Sequence, residues 1–195
     1  MVDCIYSPHC TWKQCDYACP IFAEISYWME RCNIDIRNPV LKSDQAAINK
    51  GIEIIEGGAG KLSVFRSKSP ETATDTLAYC AICLHGRGTA LKKGIYVLNY
   101  AEYIDEIKRS WQSKYESEDL QFMRIWSNSA NYLIIISGID YVKFGDFECQ
   151  TLLRLIQDRR NPSKSTYIVY GKENLIGTSD FFGRLLSIMK GAEVN

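Results

Sequence analysis

A chain of 195 residues, 46% of them hydrophobic and 24% charged, has room for one full domain and a small appendage, and this composition excludes an intrinsically disordered protein. Lys+Arg and Asp+Glu are equal at 23 each, so bulk charge gives no tight, sequence-blind attraction to nucleic acid, and any such contact falls to a local patch. No apolar run approaches the ~20 residues needed to span a bilayer. The opening Met1-Val2-Asp3-Cys4 has neither the basic nor the apolar region of a secretory signal, so the expectation is a cytoplasmic protein without a membrane partner. The eight cysteines then read as metal ligands or buried thiols rather than disulfides.

Five of those cysteines fall in the first 32 residues, and the first four form C-x5-C-x4-C-x3-C through Cys4, Cys10, Cys15 and Cys19. So short a leader cannot bury enough apolar surface to fold alone, whereas a tetrahedral thiolate site supplies roughly 10–16 kcal/mol in small finger peptides. Zinc sites usually contain a tight C-x2-C pair, which is missing, and the Cys19-Pro20 ending also suits an iron–sulfur cluster. Zinc is the first choice; a cluster and a set of uncommitted thiols stay open. His9, beside Cys10, reads as a bystander. Residues 1–38 are taken as this Cys-rich metal-binding module and 39–60 as a helical linker.

The periodicity predicts an amphipathic helix over 21–32, with Phe22, Ile25, Trp28 and Met29 on one face. Asn38-Pro39 breaks the chain. Ser43 is placed to cap a second helix carrying Ala46, Ala47, Ile48 and Ile52, which the Gly57-Gly58-Ala59-Gly60 run ends. Strands are then predicted at 62–66, 94–98, 132–136 and 166–170, with helices at 72–84, 101–110, 119–126, 147–160 and 181–189. Cys80 and Cys83 sit in the apolar run Leu77–Leu84, where buried small helix residues outweigh a redox or metal pair. Tyr132-Leu133-Ile134-Ile135-Ile136 has the continuous apolar character of a strand covered on both faces. Alternating strands and helices give an α/β core over 61–195 with a parallel sheet flanked by helices.

A strand, a polar stretch and a helix near residue 65, followed some 70 residues later by a very apolar strand, is the plan of a P-loop ATPase. The stretches Lys93-Gly94-Ile95-Tyr96-Val97-Leu98-Asn99-Tyr100 and Leu152-Leu153-Arg154-Leu155-Ile156-Gln157-Asp158-Arg159-Arg160, with Ser165-Thr166-Tyr167-Ile168-Val169, resemble the AAA+ domains of bacterial and phage replicative helicase loaders. The cysteine-bearing leader is similar to that of some phage loaders. This resemblance implies a P-loop NTPase-like (AAA+) core, here without the small helical lid domain, in a bacterial host cell.

The family's nucleotide motifs are replaced. Ser69-Pro70-Glu71-Thr72-Ala73-Thr74-Asp75 stands where the resemblance implies the phosphate loop, with Glu71 and Ala73 for glycines, Thr74 for the lysine and Asp75 for the Mg²⁺-binding hydroxyl. One positive charge is lost and two negative ones are gained, and a like-charge contact at ~4 Å costs on the order of 1–4 kcal/mol. Ser137 and Gly138 replace the two acids at the end of the apolar strand, Asp140 lies two residues late, and Gly171 falls near the expected polar sensor. ATP is therefore not expected as a cofactor, and the chain is expected to be a pseudo-ATPase rather than an enzyme. His9 and His85 stand in no nucleophile–base arrangement.

Arg184 falls where the resemblance implies an arginine finger offered to a neighbour's site. Lys92, Lys93, Lys108, Arg109 and Lys114, with Trp111 for base stacking, form a candidate single-strand-binding face, although a solvated helix face explains the same residues. The expectation is a non-catalytic, helicase-loader-like adaptor of a phage or mobile element, bound to a replicative helicase or to an active AAA+ loader subunit. The alternatives are an inhibitor of host helicase loading and a metal-containing single-stranded DNA-binding module.

Overall fold

The strand Tyr132–Ser137, numbered β3 below, shows why the chain folds as it does. Its side chains alternate between two separate cores, Ile134 and Ile136 to one face and Leu133 and Ile135 to the other. β-branched residues on both faces make it a central strand that must be covered twice. The computed structural model describes residues 20–34, 45–57, 62–86, 94–113, 115–129, 131–160 and 164–171. Within them, β1 (Leu62–Arg66), β2 (Gly94–Asn99), β3 and β4 (Thr166–Tyr170) form one sheet in the order β1-β4-β3-β2, parallel throughout. The fold is thus α/β, a parallel sheet flanked by helices.

Helices α1 (Pro20–Arg31), α2 (Gln45–Gly57) and α3 (Pro70–Gly86) cover the first face, where Met29, Ile55, Leu77 and Ile82 pack on Phe65, Ile135 and Val169. Helices α4 (Tyr100–Ser110), α5 (Glu118–Asn128) and α6 (Asp146–Arg159) cover the second. The sequence dictates α4 locally: Tyr100, Tyr103, Ile104 and Ile107 recur at helical spacing and are buried, and the Asn99 side chain accepts from the Ala101 N–H as the cap. Ser117 caps α5 in the same way through the Leu120 N–H. α3 is apolar nearly all round because the sheet lies on one side of it and α1 and α2 on the other. Cys80 and Cys83 are accordingly buried, and burial pushes the Cys80 thiol up to about 12. Gly51 lets α2 approach: a Cβ there would lie 2.6 Å from the Cys80 Sγ.

The structure departs from the sequence reading at the start of α3, expected near residue 72. Pro70 opens it instead, at the first helical position, where a missing N–H costs nothing. Residues 1–19 of the Cys-rich leader, Ser43, the stretch 87–93 and the helix expected at 181–189 lie outside the described residues. No helix among the described residues is long and apolar enough to cross a membrane.

Arg159, the last residue of α6, is 1% exposed and has no carboxylate partner among the described residues. Its Nε donates to Thr166 Oγ1 at 2.9 Å. Nη1 donates to the carbonyls of Ser127 and Ser129, and Nη2 to those of Tyr132 and Ser165. All five guanidinium N–H groups are thereby used. Burial lowers its pKa to about 10, which leaves it charged at neutral pH. Replacing Arg159 with Met takes a donor from four carbonyls and a hydroxyl, and a loss of about 3–5 kcal/mol of unfolding free energy is expected in urea titrations. Arg159→Lys, with three donors on one nitrogen, should recover less than half of it; a lysine variant as stable as the wild type would show that the fork geometry is unimportant.

Candidate functional site

In this sheet the chain leaves β1 toward one face and leaves β2 and β3 toward the other. A crevice opens outside the carboxyl ends of such strands, and the structure has a cleft of about 440 Å³ there. One wall is the first two turns of α3, with Pro70, Glu71, Thr74 and Asp75. The tips of β2 and β3 contribute Asn99, Ser137 and Gly138, and the turn after β3 adds Asp140 and Tyr141. Arg31 and Cys32, at the end of α1, close the far side.

Five of the six residues expected at the altered nucleotide site (Glu71, Thr74, Asp75, Ser137 and Gly138) therefore line one cleft. Ala73 does not, and packs against the core beneath α3 instead. The backbone between them differs from the loop expected over 69–75. Only Ser67, Lys68 and Ser69 separate β1 from α3. Ser67 continues the sheet by donating its N–H to the Tyr170 carbonyl, and the Ala73 N–H is spent on the Ser69 carbonyl at 3.0 Å. The Thr74 and Thr76 hydroxyls donate back to the carbonyls of Pro70 and Thr72. A phosphate-wrapping loop needs a run of unspent N–H groups; here the Ser67, Ser69 and Ala73 N–H groups are already bonded and Pro70 has none.

Gly138 explains the other half of the site. Its φ is +71°, and a Cβ there would sit 2.1 Å from Asn99 Oδ1, the atom that caps α4. A carboxylate at this position is excluded by backbone and packing together. Asp140, expected to turn away, is 7% exposed and lines the cleft, with Oδ2 accepting from the Gly171 N–H at 2.8 Å. That bond ties the turn after β3 to the end of β4.

The cleft is acidic. Among the described residues, Glu71, Asp75, Glu102 and Asp140 line it against one cation, Arg31. The Tyr141 O–H donates to Glu71 and holds its carboxyl below the usual range. Burial, then the charge of Glu71, raises that of Asp75. Arg31 is committed elsewhere: it donates to the Tyr27 hydroxyl and lies 4.1 Å from the ring centre of Trp126. Burial pushes the Cys32 thiol up to about 12, so it is no thiolate nucleophile at neutral pH. His85 lies against α1 instead, 2.9 Å from Glu24.

The described cations of the candidate single-strand face are paired. Lys108 pairs with Glu148 at 2.7 Å and Arg109 with Glu106. Trp111, 63% exposed, meets the ring of Phe147 edge-on. Lys92, Lys93, Lys114, Arg184, Cys4, Cys10, Cys15 and Cys19 lie outside the described residues. No group of three or more metal-ligating side chains converges among the described residues. Sequence reasoning missed Arg31, Asn99 and Tyr141. Only Asn99 left a local signal, a capping residue between an apolar strand and an amphipathic helix. Comparison of the chain with protein families, curated proteins and solved structures finds no match.

Two outcomes follow from this geometry. Gly138→Ala should cost about 1–3 kcal/mol, from the left-handed backbone and the displaced Asn99 cap, measured as a shift of the urea midpoint. Burial alone would raise the Glu148 carboxyl, but hydrogen bonds from Lys108 and from backbone N–H groups, with the Lys108 charge, hold it below its usual 4.5. A carboxyl lowered by folding adds stability above its unfolded pKa, and that stability is lost as pH falls through the folded value. Glu148→Gln should therefore lower the midpoint at neutral pH and leave a smaller drop on acidification below about pH 4.5; parallel pH profiles would refute the pairing.

Proposed function

We propose that this protein is a non-catalytic adaptor built on a P-loop ATPase-like core and similar in plan to AAA+ helicase loaders, which acts by contact rather than by nucleotide hydrolysis. The observation that carries this reading is the cleft itself. It stands at the carboxyl edge of a parallel sheet, where α/β proteins bind ligands, yet its α3 wall is wound helix bearing Glu71 and Asp75, and its β3 tip has no room for a side chain at Gly138. Among the described residues, a polyphosphate entering it meets four carboxylates and one committed cation.

In this reading the partner is a replicative helicase or an active loader subunit, and the chain contributes shape. Supporting the use of the sheet as a scaffold, its two cores and the saturated Arg159 make it self-sufficient without a ligand. The cysteines Cys4, Cys10, Cys15 and Cys19 belong to the same proposal as a metal-organised leader, zinc first and an iron–sulfur cluster second, on sequence spacing alone. The paired cations Lys108 and Arg109 weigh against the reading as a single-stranded DNA-binding module.

The test is calorimetric titration with Mg-ATP, expected to give no binding heat and no phosphate release. The double variant Thr74→Lys, Asp75→Thr should be equally inert, since Glu71 and Gly138 remain. Micromolar affinity in the wild type, abolished at Asp75, would sink the pseudo-ATPase reading. Affinity capture from the native host is expected to recover a replicative helicase or an AAA+ loader subunit. Recovery of neither would sink the adaptor reading.

A further inference from the structure

We infer that an aromatic strip spanning α1 and α5, beside the edge strand β2, docks a basic, apolar segment of a partner protein. That the partner is a helicase or a loader rests on the adaptor reading above; the chemistry of the contact rests on the strip. Tyr27 of α1, 51% exposed, accepts a hydrogen bond from Arg31, whose guanidinium lies 4.1 Å from the ring centre of Trp126 in α5. Trp126 stacks on Phe122 with ring centres 5.2 Å apart, and Ile125 continues the apolar surface. Folding alone does not account for this exposure. At about 100° per residue, Leu120 and Ser127, the buried residues of α5, lie on one side of the helix, and Phe122 and Ile125 on the other. A surface helix ordinarily turns polar residues outward; here Phe122 is 47% and Ile125 61% exposed.

The strip is ordered before a partner arrives. Trp126 packs edge-on against Tyr96 of β2, and Arg31 is held by a hydroxyl on one side and an indole face on the other. Binding energy concentrates on tryptophan, tyrosine and arginine, and more of it survives when little ordering remains to be done. Charge decides what the strip takes. Glu30 stands one turn from Tyr27 on α1, and Glu118 and Asp119 stand one turn before Phe122 on α5. All three are exposed, and among the described residues no ion pair or side-chain hydrogen bond engages them. Arg124, the cation of α5, is spent on Glu116. A second copy would set these acids against like charges, and nucleic acid or an anionic bilayer would bring phosphates to them. A protein segment with Lys or Arg beside its apolar residues matches both the aromatic middle and the acidic flanks.

The test titrates the ¹⁵N-labelled full chain with an amphipathic peptide of leucine and lysine, about 14 residues long, and with its leucine–glutamate counterpart. The lysine peptide should shift the amides of Tyr27, Phe122 and Ile125 and the Trp126 indole, less so as salt rises. The glutamate peptide should leave them unmoved. Ile125→Ser, at an exposed position, should keep the wild-type urea midpoint and weaken the lysine peptide about tenfold. Glu118→Gln with Asp119→Asn should weaken it about threefold or more and flatten its salt dependence. Silence of the lysine peptide, equal shifts with the glutamate peptide, or unchanged affinity in both variants would each overturn the inference. So would a dimer in sedimentation that Ile125→Ser dissolves, which would assign the strip to a second copy. Affinity capture separates the two proposals. A helicase or loader subunit recovered equally by the wild type and by Ile125→Ser would sink this inference and leave the adaptor reading standing. A strip that takes the lysine peptide while capture recovers neither protein would sink the adaptor reading alone.

Discussion

The guanidinium of Arg159 fixes the amino-terminal end of the sheet, and the rest of the architecture is referred to it. It reaches the turn between α5 and β3 through Ser127 and Ser129, the start of β3 through Tyr132, and the start of β4 through Ser165 and Thr166. A buried charge without a counterion is expensive, and it persists only when every donor is satisfied by a well-placed acceptor. Five donors meeting five neutral oxygens fulfil that condition. Because the strands are parallel, fixing β3 and β4 at their amino ends also sets how their carboxyl ends align. Ile134 pairs with Thr166 and Ile136 with Ile168, so the turn after β3 arrives beside the end of β4, where Asp140 can take the Gly171 N–H. One end of the sheet is therefore committed to stability, and the other is left to shape a cleft.

The character of that cleft follows from where backbone hydrogen bonds are spent. Three residues between β1 and α3 leave no slack, and Ser67 and Ser69 consume what remains by bonding Tyr170 and each other. The tip of β3 turns through Gly138 because Asn99 occupies the space a side chain would need, and Asn99 is itself bound to its task of capping α4. Each of these choices serves folding. Together they interrupt the run of unspent amides and remove the projecting acid that nucleotide chemistry requires, without closing the cavity.

Much of the fold was legible in the sequence. β1 and β4 fall at the expected bounds because β-branched and aromatic residues run between polar breaks, and β3 because no surface strand has so continuous an apolar run. α4 was legible because its buried residues keep a helical period and Asn99 stands at its start. The start of α3 was not, since alignment with a phosphate loop and the preference of proline for a first helical turn compete over the same residues, and the helix won. The commitment of Arg31 to Trp126, across 95 positions of chain, has no local trace. Neither does Arg159, which in sequence is one of two arginines at a helix end. The acidic residues of the cleft were legible as departures from a motif, but their convergence with Glu102 and Asp140 depends on the topology of the sheet.

The sign of the site follows from the helix that forms its wall. The first turn of an α-helix carries a partial positive charge and attracts anions. In α3 that attraction is met from within the chain, by Glu71 in the first turn and by Asp75 one turn further on. Tyr141 adds a hydrogen bond that keeps Glu71 ionised. A helix end that would otherwise favour phosphate thus carries fixed negative charge of its own, and burial with the neighbouring Glu71 charge raises the Asp75 carboxyl. Restoring a lysine or a threonine on this helix would change side chains but not the wound backbone or the left-handed turn at Gly138. The negative sign of this edge of the sheet is therefore carried by the side chains of Glu71 and Asp75, while the wound backbone of α3 and the turn at Gly138 set the shape they line.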